Sequence, residues 1–189
     1  MTYVAGQAAR LALSVLQGKE PRRTHVFGVG EFAETSYLAH PDLIGVNVVA
    51  AAWLHDIGYA DAVEETGFHP IDGALFLREQ GWRSEVCNLV AFHTGAEIEA
   101  EERGLSAAMW SFERPAECDL DMLTMLDLSI GPSGQPMSPK QRVAEILQRY
   151  GEHEPVHRAI RRAGEDLIDS ANRAAERLAR GASGWPQSP

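Results

Sequence analysis

The stretch VNVVAAAWLHDIGY, Val46 to Tyr59, carries the reading of the fold. It belongs to a run from Leu43 to His55 with helical spacing and no two-residue alternation. His55 follows Val48, Ala51 and Ala52 at seven, four and three residues, so it continues the inward stripe of that helix. Asp56 lies about 100° further round, beside Ala52 and Trp53. Two ionisable groups thus sit among apolar neighbours, and burying them requires partners.

Outward from this stretch, helical spacing recurs at Tyr3 to Gln17, Val26 to Ala39, Pro70 to Gln80, Ser84 to Glu102, Asp119 to Ile130, Pro139 to Tyr150 and Pro155 to Arg180. Gly and Pro punctuate these runs at Gly18 to Pro21, His40 and Pro41, Gly81, and Gly131 to Pro139. The pattern predicts an all-α, single-domain helical bundle over residues 1–180, with 181–189 as a disordered tail. Arg158, Arg161, Arg162, Arg173, Arg177 and Arg180 alternate with acids on the last run, which reads as a solvated face.

Composition narrows the function classes. The chain has 189 residues, 44% hydrophobic and 23% charged, values typical of a soluble domain. A net charge of -10 opposes general nucleic-acid binding, which needs clustered Lys and Arg. It also disfavours an anionic substrate unless bound cations reverse the local field. Cys87 and Cys118 form no zinc or redox motif and read as small buried hydrophobes. Met1 to Gln17 lacks a secretory pattern, so a cytoplasmic location with no membrane association is expected.

Four further residues share the placement of His55 and Asp56. His93 continues the face of Val86, Leu89 and Val90, and Asp127 that of Leu120, Leu123 and Ile130. His25 shares a face with Val29 and Phe32, while His69, just before Pro70, aligns with Gly73 and Phe76. Singly, each of these histidines reads as a core residue with a hydrogen bond; together, two Asp and four His facing one core point to a metal centre. Imidazole and carboxylate without thiolate suit one or two divalent ions of Mn, Fe, Co, Ni or Zn.

The order H…HD…H…H…D, carried by His25, His55-Asp56, His69, His93 and Asp127, resembles the HD superfamily of metal-dependent phosphohydrolases, and HPIDGA from His69 resembles its HDIG-type members. The resemblance implies one metal on His25, His55, Asp56 and Asp127, with Asp56 bridging to a second held by His69 and His93. Tyr59 stands where such sequences often place Lys, and Phe92 where HD-GYP relatives have a second His; no Gly-Tyr-Pro follows His93. The expected activity is hydrolysis of a small phosphorylated compound or nucleotide by metal-activated water, with Asp56 as the catalytic carboxylate. Arg22 and Arg23 are candidates for phosphate contacts. Two alternatives use the same residues: an HD-type di-iron oxygenase, and a non-catalytic metal- or nucleotide-binding helical module.

Overall fold

The computed structural model describes residues 3–183. Among the described residues ten α-helices follow in order: α1 (Tyr3–Val15), α2 (Arg22–Ala39), α3 (Val46–Leu54), α4 (His69–Glu79), α5 (Ser84–Phe92), α6 (Ala96–Arg103), α7 (Ser106–Met109), α8 (Glu117–Leu128), α9 (Pro139–Arg149) and α10 (Pro155–Ser183). Short 3-10 turns at Ile57–Tyr59 and His93–Gly95 follow α3 and α5. Among the described residues there is no strand; an isolated antiparallel bridge joins Ile130 to Pro136. The expected all-α fold is what is found.

The centre of the bundle is α3, on which every residue from Val48 to Leu54 is buried. A helix apolar all round must be covered all round, and α1, α2, α5 and α8 do so. Close approach comes from small residues: α1 turns Ala5, Ala8, Ala9 and Ala12 inward, and Gly30 of α2 lies where a Cβ would fall 2.2 Å from the Trp53 ring. Trp53 satisfies its indole N–H on Glu34, 3.0 Å away. The amphipathic α10 lies across α6, α8 and α9, and its 29 residues reach roughly 43 Å.

Several details differ from the sequence reading. Ser84 to Glu102 is not one helix: Thr94 (φ 44°) and Gly95 (φ 77°) are both left-handed and break it. The helix α7 has four residues, too few for periodicity to register. Residues 181–183, assigned to the tail, continue α10; residues 184–189 lie outside those described. Cys87 is buried as expected, but Cys118 is exposed, since it sits in the first turn of α8.

The arginines of α10 lie on a largely exposed face, as their alternation with acids implied, and several of them also pair across helices. Arg158 and Arg162 pair with Glu102 and Glu101 of α6, Arg173 pairs with Asp121 of α8, and Arg177 donates to the Cys118 carbonyl. These contacts tie the long helix down on two neighbours. No helix among the described residues is long and apolar enough to cross a membrane.

Candidate metal centre

The end of α3 creates the site. His55 keeps helical torsions, but Asp56 (φ -102°, ψ 11°) does not, and the chain tightens into the turn Ile57–Tyr59. That turn supports α4: a Cβ at Gly58 would lie 2.0 Å from the His69 carbonyl oxygen and 2.8 Å from the Gly73 nitrogen, so main chain packs on main chain there. Buried Asp72 fixes the approach to α4 by accepting from Thr66 N (2.9 Å), Thr66 Oγ1 (2.6 Å) and Gly67 N (3.1 Å). His69 is therefore delivered to the cluster at the first turn of α4.

All six His and Asp candidates meet. His25 Nε2 lies 3.0 Å from Asp127 Oδ1 and 3.3 Å from His55 Nε2. His55 Nε2 lies 3.3 Å from Asp56 Oδ2. On the other side of the same carboxylate, Asp56 Oδ1 is 3.2 Å from His69 Nε2 and 3.9 Å from His93 Nε2, and those two nitrogens are 3.3 Å apart. Two triads that can hold a metal thus share Asp56: His25 with His55, and His69 with His93. Five of the six residues are buried, and His69 is 14% exposed along its side chain.

The tautomers follow from the main chain. The Nδ1–H groups of His25, His55 and His93 donate to the carbonyls of Gly131 (3.2 Å), Ala52 (2.9 Å) and Val90 (2.7 Å). In neutral rings this leaves each Nε2 as a bare acceptor, the usual arrangement behind a ligating imidazole. Two acceptors 3.3 Å apart repel unless a proton or cation lies between them. With metal–nitrogen bonds of about 2.1 Å, neighbouring ligands on one ion stand about 3.0–3.4 Å apart, which two pairs in each triad match, while His25 to Asp56 at 3.8 Å and His93 to Asp56 at 3.9 Å are longer. The donor set fits a divalent transition metal.

Surrounding groups fix the charges. Burial alone would raise the Asp56 carboxyl pKa, but Arg22 and His55 hold it well below the usual carboxylate range. Burial disfavours the Asp127 carboxylate too, and His25 and His55 outweigh it. His55 is pushed down by burial and up more strongly by Asp56 and Asp127, whereas burial, His69 and His55 press His93 down to about 3. The second oxygen of Asp127 accepts from Thr94 Oγ1 at 2.5 Å, which gives the left-handed Thr94 a purpose at the site.

Of the two proposed phosphate contacts, only Arg22 faces the centre. Its Nη1 donates to Asp56 Oδ2 at 2.5 Å, and its guanidinium lies 4.1 Å above the Tyr59 ring, which itself stacks on His69 at 4.0 Å. Arg23, one residue on and about 100° round the helix, donates to the Leu13 carbonyl and pairs with Glu20 instead. Tyr59 is thus packed into the site, and Phe92 lines other cavities formed with α6.

A cavity of about 70 Å³, open to solvent, lies against Asp56, His69, His93 and Asp127. Residues of α9 and α10 and the Tyr150 that follows α9 also line it, among them Arg142 and Arg149, none of which the sequence reading singled out. The available signal was the seven-residue spacing of Arg142 and Arg149, with Ile146 between them on one helical face.

Compared with known protein families, the chain matches the HD domain over residues 22–180. No curated protein and no solved structure matches it.

Proposed function

The chain belongs to the HD-domain family, and from that premise we propose that it is a metal-dependent phosphohydrolase acting on a small phosphorylated compound or nucleotide. The observation that carries this reading is the single carboxylate of Asp56, with one oxygen turned to His55 and the other to His69. Divalent ions in such a centre supply Lewis acidity, lowering the pKa of water and neutralising phosphoryl oxygens.

The chain's own residues do the positioning. Arg22 keeps Asp56 ionised and brings a fixed positive charge to the cavity, where phosphate oxygens can also meet it. Main-chain carbonyls hold three imidazole rings in one orientation, so little reorganisation is needed on binding. Thr94 donates to one oxygen of Asp127 and leaves the other turned to His25 Nε2, 3.0 Å away.

The test is reconstitution. A chelated sample should regain hydrolysis of phosphomonoesters or nucleotides with Mn²⁺, Co²⁺ or Fe²⁺, and poorly with Ca²⁺, which prefers an all-oxygen shell. Equal rescue by Ca²⁺ would overturn the histidine ligand set. Oxygen-dependent turnover by an iron-loaded sample without hydrolysis would replace this reading with the oxygenase.

A further inference from the structure

We propose that α9 supplies a second anion-binding subsite facing the metal centre, so that the substrate is a small phosphate ester carrying a further anionic group, carboxylate or phosphate, beyond a short carbon span. The inference rests on the phosphohydrolase reading for one end of the substrate only.

The subsite is built from Arg142, Glu145 and Arg149. Glu145 accepts from Arg142 Nη1 and, at 2.9 and 2.6 Å, from Arg149 Nε and Nη2. One carboxylate therefore orients two guanidinium groups and leaves one positive charge in excess. Arg142 has a side chain only 5% exposed, and its Nε–H is buried with no partner in the protein. A buried guanidinium left incompletely paired is costly, and an anion in the cavity that Arg142 lines would offset its charge.

Other carboxylates in the cavity are already engaged. Glu99 pairs with Arg103, Asp56 accepts from Arg22, and Asp127 accepts from Thr94. Besides these charged groups and the histidines, the cavity is lined by the apolar side chains of Ile146, Val156 and Ile160. That lining suits a short apolar span better than a polar one. Arg149 also lies over the Tyr150 ring at 5.3 Å, which holds its plane. Glu145 acts here as a positioning residue.

Non-hydrolysable probes separate binding from turnover. The manganese-loaded protein would be titrated calorimetrically with propylphosphonate, 3-phosphonopropionate and propane-1,3-diphosphonate. At least one of the two ligands with an anionic tail should bind about tenfold or more tightly than propylphosphonate, and their order tells carboxylate from phosphate. Arg149→Gln should shrink that preference to within about threefold while leaving propylphosphonate affinity within about twofold. Arg142→Gln should act in the same direction; Arg149, at the rim and 30% exposed, provides the variant least exposed to folding defects.

Equal binding of all three probes by the wild type, or an undiminished preference in Arg149→Gln, would overturn the subsite. Preference intact in a protein that hydrolyses no phosphate ester would leave the subsite standing and remove the phosphohydrolase reading. Failure of every phosphonate to bind would remove both.

Discussion

Two buried aspartates on α8 have opposite surroundings. Asp121 accepts from Ser170 Oγ at 2.6 Å and from Arg173 Nε and Nη2 at 3.0 and 2.6 Å. Donors there meet a carboxylate, and the network is complete. Asp127, six residues on, faces the Nε2 atoms of His25 and His55 at 3.0 and 3.8 Å, which are bare acceptors in neutral rings, with Thr94 as its donor and Arg22 as that of Asp56. Acceptors converge on acceptors, and a cation resolves that arrangement. Burial and ionisation alone therefore do not mark a chemical site; the balance of donors and acceptors does.

The largest expected effect is at the acceptor-rich end. Asp56→Ala should weaken metal binding by more than about 100-fold, beyond the range for residues that only support ligands, and abolish turnover with it. Metal analysis by mass spectrometry beside the activity assay checks this, and retained full activity would break the comparison.

Next comes the pair His69→Ala/His93→Ala. Metal per chain should fall from about two to one, leaving the His25, His55, Asp56 and Asp127 set occupied. An unchanged stoichiometry of one in both proteins would reduce these histidines to core or substrate-contacting residues, and the di-iron alternative would fall with them.

The smallest effect belongs to Asp121→Asn, which should cost about 2 kcal/mol of stability with no change in metal content. Although burial works against it, Arg173 and Ser170 lower the Asp121 pKa in the folded chain. Its contribution is then present above the unfolded value of about 3.9 and disappears as pH falls through the lower folded value. Urea midpoints of wild type and variant should differ above about pH 4 and converge in stronger acid. A gap independent of pH would mean that Asp121 acts through packing.

Much of this was legible because the same period governs both core and cluster. His55, His93 and Asp127 extend apolar stripes, so the positions that pack the bundle also indicate which polar groups point into it. The break at Thr94 was hidden because threonine rarely adopts positive φ; only the contact of its hydroxyl with Asp127 explains the conformation. Arg142 and Arg149 escaped notice for a different reason. Arginine on a short amphipathic helix reads as solvent-facing, and only the placement of α9 across the cavity turns that face inward. Cys118 misled in the other direction, since a first-turn position can face out whatever the residue's usual burial.

The main-chain contact between Gly58 and the start of α4 bears on how a saturation mutagenesis map of this gene would read. Any side chain at position 58 must displace the backbone that carries His69, so the column for this glycine would be as intolerant as those for the histidines. It contributes no ligand and no proton. A depletion score alone would enrol it among the reactive residues, whereas its role is to leave empty the space that lets two segments meet.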